Sequence, residues 1–189
     1  MENTKRQLVV GISGASGVRL GIRLLEYLQE SEVETHLVIS PAARLTIANE
    51  TGWQVSDVSA LAAHSYKYSD IEAPIASGSF PTLGMVVIPC SIKTLSAIAN
   101  SYADNLLVRA ADVTLKEGRP LVLVVREAPL HYGHLRLMGL ACRAGATIFP
   151  PVPAFYGRPQ SSEEIVDGLV GRILLRLGIE NDLYTHWDE

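Results

Sequence analysis

Short apolar runs rich in β-branched residues alternate along this chain with stretches whose apolar positions recur every three to four residues. Leu8-Val9-Val10 predicts a strand, and Leu20, Leu24, Leu25 and Leu28 then share one face of a helix. Thr35–Ile39 predicts a second strand, with Ser40 as helix cap and Pro41 as first helical residue. Met85–Ile88 reads as a strand ended by Pro89, with a helix from about Ser91. Leu106–Lys116 is helical in pattern, and Gly118 and Pro120 separate it from the wholly apolar strand Leu121–Val125. A helix over His131–Arg143, a strand over Thr147–Phe149, a loop rich in proline (Pro150, Pro151, Pro153) and a helix over Ser162–Leu177 complete the series. The weakest pattern lies between Thr51 and Ser79. Strands without polar alternation, each followed by a helix, predict an α/β fold: a parallel sheet covered on both faces, as one three-layer αβα domain over residues 1–189.

Composition narrows the possible partners. The chain has 189 residues, 48% of them apolar, enough for one well-filled core. A net charge of −4 with no basic run argues against nucleic acid, so any bound anion must be met by a few local cations. Cys90 and Cys142 are far apart, which excludes a disulfide framework and a zinc motif and fits a reducing cytosol. No apolar stretch approaches the ~20 residues of a membrane span, and the polar start Met1–Gln7 does not read as a signal peptide.

The chemically suggestive residues all follow strands. In an open parallel sheet, ligands bind beyond the carboxyl ends of the strands, so these clusters should meet on one rim. Gly11-Ile12-Ser13-Gly14-Ala15-Ser16-Gly17 suits an anion, through close backbone approach, amide groups and a helix start. It lacks the G-x-G-x-x-G spacing, and Ser40 stands where a dinucleotide site would want an acid. Ser40, Ser91 and Thr94 offer hydroxyls to a mononucleotide phosphate, so FMN fits better than NAD. Arg109, Asp112 and Lys116 share a helix face, which is either a solvated stripe with an Asp–Lys pair or, because its neighbours are small and apolar, a set of buried cations in need of an anion. Arg126-Glu127 follows an apolar strand directly; it is either a structural ion pair or a carboxylate in a partly dry cleft, able to exchange protons. Glu50 is a second candidate for that role, or an ordinary exposed acid. His131 and His134 share a helix face without a carboxylate, so a metal site is not expected, and Cys90 reads as a buried small residue.

In this order, Gly11–Gly17, Pro89-Cys-Ser-Ile-Lys-Thr94, Arg109-Ala-Ala-Asp-Val113, Leu115-Lys-Glu117, Arg126-Glu-Ala-Pro129 and Pro153-Ala-Phe-Tyr156 resemble the flavin prenyltransferase (UbiX) family, from about Leu8 to Arg176. The resemblance implies a Rossmann/flavodoxin-like fold and metal-free transfer of a dimethylallyl group from dimethylallyl phosphate to N5 and C6 of reduced FMN. The product, prenylated FMN, would serve a UbiD-type decarboxylase of ubiquinone or aromatic-acid metabolism. By position, Gly14, Ala15, Ser16, Ser40, Ser91, Ile92, Lys93, Thr94 and Arg126 would contact FMN. Arg109, Lys116, Tyr156 and Arg172 would hold the prenyl phosphate, and Ser16, Glu50 and Glu127 would manage protons and the departing phosphate. Some relatives carry Trp where Ile71 aligns, so other π surfaces must serve any allylic cation here. Exposed-looking Phe155 and Tyr156 predict a homo-oligomer, by resemblance a dodecamer, with the active site at a subunit junction. A cysteine-decarboxylating flavoprotein would need a catalytic His after the first helix and a Pro-x-Met-Asn clamp, and neither occurs. A flavin carrier would leave the second set of cations unexplained, and a serine hydrolase lacks its G-x-S-x-G.

Overall fold

A computed structural model of the chain describes residues 6–184; Met1–Lys5 and Trp187 lie outside them. Among the described residues, six strands form one parallel sheet: β1 (Arg6–Ile12), β2 (Val33–Ile39), β3 (His64–Tyr66), β4 (Gly84–Cys90), β5 (Leu121–Val125) and β6 (Thr147–Ile148). Their spatial order is β3-β2-β1-β4-β5-β6. The chain thus runs outward to β3, then returns to pair β4 with β1, and the strand order reverses between these two. Such a reversal opens a crevice at the carboxyl ends of the two central strands.

Alternate strand residues enter two separate cores. Leu8, Val10, Ile12, Val86, Ile88, Val122 and Val124 pack under α1 (Val18–Gln29), α2 (Pro41–Glu50) and α7 (Ser162–Arg176). Val9, Val38, Met85, Val87, Leu121, Leu123 and Val125 face the other way, toward α4 (Ile92–Ala99), α5 (Leu106–Lys116) and α6 (Tyr132–Arg143). Because both faces are covered, the strands carry no polar alternation, and this is why they read as unbroken apolar runs.

Two features depart from the sequence reading. The stretch with the weakest pattern contains α3 (Val55–Ala60), β3 and a single 3-10 turn, Pro74–Ala76. β3 is a three-residue edge strand, His-Ser-Tyr, with no apolar run to announce it. The strand expected to stop before Pro89 continues through Cys90. The ladder to β5 is irregular between Val87 and Cys90, so the missing N–H of Pro89 falls where no ladder bond is required. The other expected helices stand within two residues of their predicted ends.

Candidate active site

The loops after β1, β2, β4 and β5 are laced together just beyond the strand ends. Ser40 donates its amide to the carbonyl of Ile12 at 2.9 Å, and Arg126 donates its amide to Cys90 at 3.1 Å. Ser13 closes the gap over the crevice. Its amide and its hydroxyl both donate to the Pro89 carbonyl, at 3.1 and 3.0 Å, and its oxygen accepts from the Ser91 amide at 2.7 Å. Ser13 is fully buried, so each of these bonds replaces water that cannot reach it. It is an organising residue that carries no place in the predicted site, although it lies inside the glycine-rich segment. Its signal there is a hydroxyl in a loop of otherwise small residues.

Gly14 brings that loop against α2. A Cβ at this position would lie 2.3 Å from the Cβ of Ala42 and 3.1 Å from its carbonyl carbon, so only glycine permits the approach. Within the loop the amides of Ser13, Ala15 and Gly17 already have acceptors: Pro89, Ser13 and the Glu50 carboxylate. Those of Gly14 and Ser16 have none among the described residues. They are the backbone donors left for an anion, next to the start of α1.

The three predicted hydroxyls prove to be working parts of helix starts. Ser40 accepts from the Ala43 amide at 3.1 Å as cap of α2, and Ser91 accepts from the Thr94 amide at 3.3 Å as cap of α4. A capping hydroxyl accepts through a lone pair and keeps its hydrogen. Ser91 gives that hydrogen to the Thr94 hydroxyl at 3.2 Å, which leaves Thr94 as the outer donor of a two-step chain. Ser40 and Thr94 are 6% and 7% exposed, so these donors are held in place rather than solvated. Ile92 is half-buried and Lys93 exposed on the first turn of α4. Such a set of fixed, neutral donors fits an FMN phosphate.

Glu50, the last residue of α2, is drawn to the same place: its Oε2 accepts from the Gly17 amide at 2.8 Å, one residue from the exposed Ser16. Arg126 and Glu127 are both exposed and form no ion pair with each other among the described residues. The Glu127 carboxylate instead accepts from the Ala128 amide at 3.1 Å. In one chain this acid therefore lies at the open mouth of the rim, not in the dry cleft that its apolar strand suggests.

The expected phosphate-binding cations divide between the two layers. On α5, Arg109 pairs with Asp112 at 3.0 Å and donates to the Ala76 carbonyl at 3.2 Å, while Lys116 pairs with Glu117. Their side chains are 38% and 47% exposed, so the predicted burial is corrected. Each has an acid of its own, and Glu117 is the one missing from the stripe. Beside Lys116 its carboxyl is held below the usual range. Tyr156 and Arg172 come together on the other layer, joined through the hydroxyl of Tyr184. Lys116 ends α5 just before β5 begins, so about the length of β5, ~16 Å, separates it from the carboxyl rim. No single chain brings the four residues onto one phosphate. Ile71, which replaces a possible aromatic, is 59% exposed.

With this geometry in hand, comparison with known proteins is specific. Residues 1–174 match the Flavoprotein family. The chain is 56% identical over 185 residues to the flavin prenyltransferase UbiX of Escherichia coli K12, covering 96% of this chain and 98% of that protein. The crystal structure of AnUbiX (PadA1) in complex with FMN and dimethylallyl pyrophosphate superposes with a TM-score of 0.96 at 48% identity, covering 98% of each chain. A dodecameric FMN-dependent UbiX-like decarboxylase from Escherichia coli O157:H7 gives 0.93 at 49% identity, over 96% of this chain and 98% of the other. A fold of this topology with a laced carboxyl rim, and identity above one half over nearly the whole length, lead to one assignment: the chain belongs to the flavin prenyltransferase (UbiX) family.

Proposed function

We propose that this chain is a metal-independent flavin prenyltransferase, which transfers a dimethylallyl group from dimethylallyl phosphate to N5 and C6 of reduced FMN and releases phosphate. The observation that carries the reading is the lacing of four strand-end loops around one crevice, with short neutral donors left over for a phosphate. Gly14, Ala15, Ser16, Ser40, Ser91, Ile92, Lys93, Thr94 and Arg126 are the groups we assign to FMN. The flavin supplies the nucleophilic N5 and C6 when bound. Glu50 meets the loop one residue from Ser16, where the Gly17 amide fixes the carboxylate as a proton acceptor. Glu127, at the mouth, is assigned the second proton-handling role. Hydroxyls and cations stabilise the leaving phosphate.

Arg109, Lys116, Tyr156 and Arg172 are assigned to the prenyl phosphate, completed at a junction between protomers of a homo-oligomer, a dodecamer as in the Escherichia coli O157:H7 relative. Two facts support the junction. Lys116 cannot reach the rim of its own chain, and Val152 and Phe155 stand 72% and 70% exposed beside Tyr156, an apolar surface suited to a neighbour. The product is prenylated FMN for a UbiD-type decarboxylase. Free Cys90 and Cys142 fit a reducing compartment, which we take to be the cytoplasm. No helix among the described residues is long and apolar enough to cross a membrane. We read residues 1–189 as one FMN-binding unit. Anaerobic incubation with reduced FMN and dimethylallyl phosphate, followed by flavin mass analysis, tests the activity: the expected product carries one added five-carbon unit, and unchanged flavin overturns the reading.

A further inference from the structure

The segment after α7 returns to its own helix. From Gly178 the chain turns back, and Asn181 ties it down by donating Nδ2 to the Gly171 carbonyl at 3.0 Å while its Oδ1 accepts from the Leu183 amide at 3.1 Å. The return passes over the one position that can allow it. A Cβ on Gly171 would lie 2.6 Å from Asn181 Oδ1 and 2.8 Å from both the amide nitrogen and the Cβ of Tyr184. The result is to place Tyr184 between two residues already assigned to the prenyl phosphate. Arg172 Nη1 donates to its hydroxyl at 3.1 Å, its ring lies 5.3 Å from the guanidinium carbon, and its hydroxyl bonds that of Tyr156.

We propose that Tyr184 is a positioning residue of the prenyl-phosphate site, which holds Arg172 and Tyr156 together on one side of a shared cavity. The inference rests on the functional reading above. A guanidinium has donors and no acceptor, so Tyr184 must accept from Arg172. Its hydroxyl also bonds that of Tyr156, so one phenol oxygen ties both side chains to a common point. Bonds in such a network strengthen one another, so the guanidinium and the two phenols are held as one unit. The bond to Tyr184 also pushes the Tyr156 phenol above its ordinary range, so it remains a donor at neutral pH. The three side chains border a cavity of about 510 Å³ that apolar Phe149, Ile165 and Leu169 also line. Three acids on its lining have other neighbours: Glu164 accepts from the Gln160 amide, Asp167 pairs with Arg23, and Asp182 sits beside Tyr27. A phosphate with a short apolar tail matches this division.

The test uses the full chain with Tyr184→Ala and Tyr184→Phe. Tyr184→Ala should raise KM for dimethylallyl phosphate by roughly tenfold or more, with FMN affinity and melting temperature close to wild type. Tyr184→Phe keeps the ring over Arg172 and loses the hydroxyl link, so about a threefold rise is expected. An unchanged KM in Tyr184→Ala overturns the proposal. So does a parallel fall in KM performance, FMN affinity and melting temperature, which would make the residue a packing group only. Should the wild-type protein form no prenylated flavin, the functional reading fails separately. Calorimetric titration with dimethylallyl phosphate still judges Tyr184, and equal affinity in wild type and Tyr184→Ala overturns its role.

Discussion

At the carboxyl rim of the sheet the polar groups are short side chains hydrogen-bonded to the backbone, whereas on α5 and α7 they are the ends of long side chains reaching into solvent. Ser13, Ser40 and Thr94 are buried and each makes bonds that also hold a loop or a helix start. Arg109, Lys116 and Arg172 instead rest on a local acid or phenol. Ordering a free Lys or Arg costs up to about 2 kcal/mol of side-chain entropy, which serine scarcely incurs. The rim is therefore pre-organised in one chain, and under the proposed function the cationic groups await a phosphate and a neighbouring protomer. The contrast teaches that flavin binding and prenyl transfer should be separable by mutation.

The sharpest break is Gly14→Val. Its branched side chain would overlap Ala42 on α2, forcing the loop away from the crevice. FMN affinity should fall by more than about a hundredfold, since several donors move together. Fluorescence titration of the flavin measures it, and near-native affinity would show that the loop does not bind the cofactor.

Lys116→Ala breaks the other half. Prenyl phosphate use should weaken by about tenfold to a hundredfold, the worth of one charge-assisted bond, with FMN affinity unchanged. Because Lys116 lies ~16 Å from its own rim, activity should also depend on assembly while FMN binding does not. Activity and flavin binding followed through a dilution series, with mass by light scattering, check this. A fully active monomer would place the phosphate site within one chain.

Ser13→Ala should sit between the two. The change leaves a buried carbonyl at Pro89 short of a donor and the Ser91 amide without an acceptor. A loss of about 2–3 kcal/mol in stability follows, with a roughly tenfold weaker FMN. Chemical denaturation and flavin titration read both. Stability lost with FMN affinity intact would mean that the lacing supports the sheet and not the site.

How much of this was legible depends on how locally each feature is encoded. The central strands and the cap at Ser40 are written in consecutive residues, and the structure has them within two residues of the reading; Ser91, read as a helix start, is the cap of α4, and Gly11 and Ile12 belong to β1. β3 is three polar-leaning residues at an edge, where one-sided exposure removes the apolar run that marks the inner strands. The joint of Tyr156, Arg172 and Tyr184 was not readable as a unit, because it depends on the chain turning back over Gly171. Glu117 does not announce itself as the partner of Lys116, because adjacent residues normally diverge on a helix and here it lies just past the helix end.

The smallest expected effect belongs to a residue beneath both regions. His36 stands in mid-strand in β2, 3% exposed, with Nδ1 bonded to the Tyr66 hydroxyl at 2.9 Å and its ring stacked on His64 at 4.7 Å and edged by Phe80. Burial first, and then the neighbouring His64, lower its pKa to about 4, against the weaker opposing pull of Glu34. The unfolded chain, titrating near 6.5, then binds more protons than the folded one between about pH 6.5 and pH 4. The contribution is present in full above pH 6.5 and is lost as the pH falls through that window. Between pH 7 and pH 5 it amounts to about 2 kcal/mol. His36→Phe, which cannot take up a proton, should flatten that part of the profile in urea titrations at the two pH values. Neither the FMN affinity nor the KM for dimethylallyl phosphate should change at pH 7, because His36 lies inside the α5 layer and is not among the residues of either site. If the variant keeps the full wild-type slope, the acid sensitivity belongs to another group. If its FMN affinity drops at pH 7, the rim is not the self-contained unit that its lacing implies.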